Sequence, residues 1–111
     1  MRFDRELLKG TTDTLILAVI SQGPVHGYEL ARRLRARTDG VFELGEGTLY
    51  PLLYKLEDNG LIAGKWQSAE GRRRRVYRIT ARGRRKLATN TEQWSALSRG
   101  MALALKGVAY A

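Results

Sequence analysis

The chain has 111 residues and a formal net charge of +9, from 20 lysines and arginines against 11 acidic residues, and it lacks cysteine. This length fits one domain, and the apolar fraction of 43% is enough for a hydrophobic core, which argues against disorder. The lack of cysteine excludes disulfides and thiol nucleophiles, and the single histidine, His26, excludes a multi-histidine metal centre.

An arm and a buried helix are predicted at the start of the chain. Residues 1–10 look like a polar arm, and Thr11 and Thr12 offer N-cap chemistry for a helix over about residues 11–22. The apolar run inside that helix, residues 15–20, is far shorter than the roughly 20 residues of a membrane span. The charged N-terminus is unlike a signal peptide, so we expect no membrane association.

Two further helices are predicted before the middle of the chain. The second begins near Tyr28 and is amphipathic, with an apolar stripe at Leu30, Ala31 and Leu34. The third runs to about Asp58, with Thr48 as its N-cap and Pro51 in the first turn, where the missing N–H costs little. Its apolar side chains follow helical spacing at Leu49, Leu52, Leu53 and Leu56.

A β-hairpin and a final helix complete the prediction. Residues 61–68 and 73–79 are strand-like and flank a glycine-containing turn, which predicts a hairpin. Thr80 then caps a helix that runs through about Leu105. Its apolar positions include a heptad seam, formed by Leu87, Trp94, Leu97, Met101, Ala104 and Val108.

The net positive charge comes from residues 65–86, which hold ten basic residues and one acid, while the basic and acidic residues of the rest of the chain balance. Such a block indicates a surface that binds phosphate. The order helix, helix, helix, hairpin, long helix is that of a winged helix-turn-helix, a mainly α (α+β) fold with a two-stranded wing. We expect a DNA-binding domain over residues 1–79 and a C-terminal dimerisation helix over residues 80–111.

The third helix and the hairpin are expected to divide the DNA contacts between them. In this fold the third helix enters the major groove and the hairpin follows the backbone or the minor groove. The third helix exposes hydroxyls and an ammonium group that can bond base edges, at Thr48, Tyr50, Tyr54 and Lys55. The hairpin arginines, Arg72, Arg73, Arg74 and Arg75, are expected to contact phosphate, which adds affinity without sequence information. We expect Trp66, at the base of the hairpin, in the hydrophobic core.

Several sequence strings together resemble the PadR family of bacterial transcriptional regulators. The resemblance covers residues 7 to about 85, and only the combination of strings is specific. The strings are Leu8-Lys9-Gly10-Thr11, Gly23-Pro24 with His26-Gly27-Tyr28-Glu29, Gly45-Glu46-Gly47-Thr48-Leu49-Tyr50-Pro51, Leu56-Glu57 with Gly60-Leu61-Ile62, Gly71-Arg72-Arg73-Arg74, and Tyr77-Arg78-Ile79-Thr80 with Gly83-Arg84.

The resemblance implies a homodimeric winged-helix repressor that binds a pseudo-palindromic operator and is often released by a small aromatic or drug-like ligand. It places Thr48, Tyr50, Pro51, Tyr54 and Lys55 in the recognition helix, Arg72 to Arg75 in the wing, and Tyr28 against the DNA backbone. It further implies dimerisation through the C-terminal helix, where we expect Leu87, Trp94, Leu97 and Met101 at the interface. With one short helix after the wing, the chain looks like the compact branch of the family.

Some roles remain open at this stage. His26 lacks the partner of a general base and stands at a helix start, so we expect capping or packing. Trp94 is either a dimer anchor or, with Leu97, a platform for a ligand, and the two roles are compatible. The alternative function is a non-specific basic nucleic-acid-binding module, which would not explain the tyrosine-rich third helix. No catalytic constellation is visible, so we expect a cytoplasmic, non-enzymatic protein without cofactor or metal.

Overall fold

The computed structural model describes residues 3–4, 8 and 10–108, and within them it confirms the predicted order of elements. These are α1 (Thr11–Ile20), β1 (Val25–His26), α2 (Gly27–Arg37), α3 (Glu46–Asp58), β2 (Ile62–Ala69), β3 (Arg72–Ile79) and α4 (Ala81–Ala104). Most of the predicted arm lies outside the described residues. None of the helices in the described part is long and apolar enough to cross a membrane.

The sheet has three antiparallel strands in the order β1-β3-β2, one more than the predicted hairpin. The predicted wing is confirmed as β2 and β3, which are joined by a tight turn with positive φ at both Glu70 and Gly71. The additional strand β1 has only two residues, and His26 lies opposite Val76 of β3. A strand this short has no alternating pattern, which is why the sequence did not predict it.

The hydrophobic core lies between the three N-terminal helices and the base of the sheet. The predicted stripe of α3 is confirmed, because Leu49, Leu53 and Leu56 are buried and Leu52 is partly buried against the core. Leu30 and Leu34 of α2 are also buried as predicted. The remaining buried side chains are Ile16, Leu17, Val19, Ile20, Val25, Leu61, Ile62 and Tyr77.

Two helix starts differ from the prediction because glycines, not threonines, precede them. Gly10, with φ of 84°, precedes α1, and the Thr11 hydroxyl donates to the Leu8 carbonyl oxygen at 2.7 Å. Gly45 is the N-cap of α3, whose first bonds run from the amides of residues 48 and 49 to the Gly45 carbonyl. Thr48 therefore lies inside the first turn, and Pro51 falls in the second turn rather than the first. At the other end, α1 stops at Ile20, two residues before its predicted end.

The start of α4 is fixed to the end of α3. The Thr80 hydroxyl caps α4 by accepting the Gly83 N–H at 3.0 Å, as predicted, and donates to the Gly60 carbonyl oxygen at 2.7 Å. Further along, the Asn90 side-chain amide donates to the Thr14 hydroxyl at 2.9 Å. All described residues beyond Asn90 are exposed, so the second half of α4 projects from a molecule measuring 56 × 28 × 21 Å.

Candidate nucleic-acid interface

A cleft of about 790 Å³ separates α3 from the wing. Its walls come from the start of α2, from one side of α3 and from both wing strands. The lining side chains are mostly aromatic or basic, and they are His26, Tyr28, Tyr50, Tyr54, Glu57, Trp66, Arg72, Arg73, Arg74, Arg75 and Tyr77, together with Gly27. Seven of the ten predicted contact residues line this cleft, and the other three, Thr48, Pro51 and Lys55, lie on α3, so the cleft is the candidate interface.

The exposed side of α3 carries the residues predicted to read bases. Thr48, Pro51 and Tyr54 are exposed, on the side opposite the buried leucines. Tyr50 is half-buried, because its ring packs over Gly27, where an added Cβ would lie 2.9 Å from the Tyr50 hydroxyl. Lys55 is exposed, with its Nζ 4.0 Å from the Asp13 carboxylate. Hydroxyls on this surface are therefore free to meet base edges.

Arg75 differs from the other wing arginines. Arg72, Arg73 and Arg74 are exposed, whereas the Arg75 side chain is 28% exposed and its Nη2 lies 2.6 Å from Oε2 of Glu57. The same carboxylate oxygen accepts the Gly64 N–H at 3.1 Å. A Cβ at position 64 would lie 2.6 Å from Arg75 Nε, so glycine leaves the space that this guanidinium occupies. Glu57 thus joins α3 to both strands of the wing.

The prediction that Trp66 belongs to the core is wrong, because the side chain is 54% exposed. Trp66 stands opposite Arg75 in the sheet register, beyond the point where β2 leaves the core. The guanidinium carbons of Arg73 and Arg75 lie 5.1 and 5.6 Å from the centre of the Trp66 ring. Both distances fit cation–π contacts, so two of the wing arginines lie over the tryptophan ring.

Tyr77 is the buried residue at the floor of the cleft. It is 1% exposed, and the Arg75 guanidinium lies 5.9 Å from its ring centre. Burial raises the pKa of the Tyr77 hydroxyl, the Arg75 charge acts against this rise, and the Glu57 carboxylate adds to it. The buried phenol therefore resists deprotonation more than an exposed tyrosine does.

His26 connects the start of α2 with the wing. Its Nδ1 accepts the Glu29 N–H at 3.3 Å, which confirms the predicted capping role. Its Nε2 lies 3.3 Å from Nη1 of Arg74. Tyr28, the next side chain along α2, is exposed and also lines the cleft. Both Glu57 and His26 contribute contacts to the wing that the sequence did not predict.

The predicted dimer residues of α4 fall into two groups. Leu87 is partly buried and packs against the core. Trp94, Leu97 and Met101 are each more than half exposed, and their spacing places them on one face of the helix. Among the described residues, no group of three or more acidic or histidine side chains is arranged to hold a metal ion.

The part of the chain that resembles known proteins includes every residue that lines this cleft. The Transcriptional regulator PadR-like family matches residues 16–89, from α1 into α4. A transcriptional regulator of Mycobacterium tuberculosis is 34% identical over 95 residues, which cover 86% of this chain and 86% of that protein. A solved structure of a transcriptional regulator from Clostridium thermocellum has a TM-score of 0.82 at 32% identity, covering 91% of this chain and 99% of its own. A PadR-like transcriptional regulator from Bacillus cereus has a TM-score of 0.80 at 33% identity, covering 92% and 98%.

Proposed function

The chain belongs to the PadR-like family of transcriptional regulators, which bind DNA, and we propose from this premise that it is a dimeric repressor of transcription. The observation that carries the proposal is the cleft in which an exposed, hydroxyl-bearing α3 stands beside an arginine-rich wing. This division of chemistry suits a protein that reads bases with a helix and holds phosphates with a hairpin. A regulator of this kind acts where bacterial DNA lies, in the cytoplasm.

The proposed DNA contacts follow from exposure. In the proposal, α3 enters the major groove and meets base edges through Thr48, Tyr50, Pro51, Tyr54 and Lys55. The exposed wing arginines, Arg72, Arg73 and Arg74, contact phosphates, as does Tyr28 at the start of α2. Arg75, the fourth arginine predicted to contact phosphate, is proposed to attract phosphate while it remains paired with Glu57.

A homodimer through α4 is proposed because an apolar face of this helix is exposed. Exposure of large apolar side chains to water is unfavourable, and the same seam on a second copy of the chain would cover them. The interface would use Trp94, Leu97 and Met101, with Leu87 at the edge of the core. Residues 1–79 then form the DNA-binding part and residues 80–111 the dimerisation part, and a two-fold dimer requires a pseudo-palindromic operator.

We further propose that a small aromatic or drug-like ligand releases the protein from DNA. The support for this release is Trp94 with Leu97, an exposed indole beside an apolar neighbour. Because Trp66 is the other tryptophan, the Trp66→Phe variant leaves Trp94 as the sole indole emitter. Quenching of that emission by a planar aromatic compound, together with loss of DNA binding, supports the proposal. Quenching without loss of DNA binding contradicts release.

The function is tested by selection from a library of random duplexes. We expect an enriched palindrome that binds at least about a thousandfold tighter than mixed-sequence duplex at the same salt concentration. The alternative, a non-specific basic nucleic-acid-binding module, predicts equal affinities. A reporter gene placed behind the selected palindrome then separates repression from activation.

A further inference from the structure

The single histidine has a defined ring proton. Nδ1 of His26 accepts the backbone N–H of Glu29 and therefore carries no hydrogen. In the neutral imidazole the proton must then reside on Nε2, which becomes a donor. This assignment follows from the hydrogen bond that the other nitrogen makes.

The Nε2 donor faces a second donor. Nη1 of Arg74 lies 3.3 Å from Nε2, and a guanidinium has no acceptor. In the tautomer that caps α2, neither nitrogen can accept from the other, although the 3.3 Å separation would suit a hydrogen bond to Nε2 in the opposite tautomer. A single oxygen anion placed next to both would accept from both at ordinary distances of about 2.7–3.0 Å.

The sheet register holds this pair together. His26 of β1 lies opposite Val76 of β3, and Arg74 is two residues from Val76, on the same side of the strand. The pair lies in the cleft between α3 and the wing. It is also next to the start of α2, where the helix dipole favours negative charge.

We propose that His26 and Arg74 together bind one phosphate oxygen of the DNA backbone, with Nε2–H and the guanidinium as the two donors. The inference rests on the DNA-binding function and names a contact within it. A phosphate oxygen fits because it accepts only and carries the negative charge that Arg74 attracts. The contact links the wing to the start of α2 through the DNA. In the tautomer that caps α2 the imidazole donates without a net charge, so the contact adds affinity without releasing a counterion.

The first experiment determines which ring nitrogen of His26 carries the proton. A long-range nitrogen–proton spectrum of the free protein contains the signals of one histidine only, since the chain has no other. We expect the proton on Nε2, and addition of a short mixed-sequence duplex should shift the Nε2 signal more than the Nδ1 signal. A proton on Nδ1, or an Nε2 signal unmoved by DNA, overturns the proposal.

The second experiment is a double-mutant cycle on the same duplex. His26→Asn retains an N-cap side chain for α2 but lacks the distal ring donor. We expect it to weaken binding about tenfold with an unchanged salt slope, since a hydrogen bond to a charged group is worth about this factor. In the Arg74→Ala background the same change should cost clearly less. A tenfold loss in both backgrounds, or no loss in either, overturns the shared contact.

The cycle separates this inference from the proposed repressor function. Phosphate contacts form on any sequence, so the mixed-sequence duplex suffices for the cycle. If selection finds no preferred sequence, the repressor proposal fails while the histidine contact is still decided by the cycle.

Discussion

Glu57 and Arg75 form an ion pair, with Oε2 and Nη2 2.6 Å apart, that connects α3 to the wing. The carboxylate also accepts the Gly64 N–H, so it holds both strands of the hairpin at a fixed place beside α3. One of the four consecutive arginines therefore positions the wing, while the other three remain exposed. The four side chains should respond differently to the same substitution.

We predict that Arg73→Ala lowers the slope of log affinity against log salt by about 0.9, the value for one lost phosphate contact. Arg75→Ala should change this slope less and instead lower the free energy of unfolding by about 1–2 kcal/mol, because it leaves Glu57 without its partner. Arg75→Lys is the matched control, since it retains the charge. Anisotropy titrations at several salt concentrations and thermal unfolding provide the measurements, and equal slopes for the two alanine variants contradict the division of roles.

Tyr54→Phe should alter sequence preference. The exposed hydroxyl on α3 is removed while the ring and the charge of the protein are retained, so the salt slope should stay the same. Loss of one base contact costs about 1–3 kcal/mol of discrimination at one position. Repeating the duplex selection with the variant checks this, and an unchanged consensus rules out a reading role for the hydroxyl.

Leu97→Asp should yield monomers. A carboxylate placed in an apolar seam would be buried without a partner, which costs several kcal/mol. Leu103→Asp is the matched control, because Leu103 is also an exposed leucine of α4 but lies outside the seam of Trp94, Leu97 and Met101. Sedimentation velocity should give a monomer for the first variant and a dimer for the second. A dimer in both cases places the interface elsewhere.

Tyr77 should make stability depend on pH in the alkaline range. Burial raises its pKa above the ordinary value of 10.0, so the folded state retains the proton longer than the unfolded chain does. Its contribution is thus complete below pH 10.0 and is lost as the pH rises through the folded pKa. Denaturant unfolding at a series of alkaline pH values checks this, and Tyr77→Phe should give a shallower fall. Parallel curves for the two proteins exclude this contribution.

Gly83→Ala should destabilise the fold, because its Cβ would collide with the Leu61 carbonyl oxygen and approach Ile79. Forced overpacking of this kind costs about 1–3 kcal/mol. Gly100→Ala on the same helix has nothing within 4 Å and should stabilise the helix by up to about 1 kcal/mol. Urea unfolding of both variants measures the contrast, and similar effects of the two changes refute the close approach.

Local patterns predicted most of the elements but few of the contacts between them. The leucine stripe of α3 and the Thr80 cap depend on neighbours within a few residues, so periodicity and capping chemistry reveal them. Glu57 and Arg75 are 18 residues apart and on different elements, and no local pattern relates them. The same holds for His26 and Arg74.

Trp66 shows why a candidate site is harder to predict than a core. A large aromatic within a strand is usually buried, but β2 continues beyond the body of the protein before it reaches Trp66. The planar guanidinium groups of Arg73 and Arg75 cover the ring there instead of apolar side chains. Which strand positions lie over the core is decided by where the helices end, and strand sequence does not contain that information.

The hydrogen bond from the Thr80 hydroxyl to the Gly60 carbonyl oxygen connects the proposed dimerisation helix to the proposed DNA-reading helix. It joins the start of α4 to Gly60, two residues after α3 ends, and so constrains the direction of α4 relative to α3 at this point. In a dimer formed through α4, a small change of angle between the two copies of that helix would swing the two α3 helices apart or together. The distance between the two half-sites on DNA would then depend on how side chains pack between the two α4 helices, far from the DNA itself.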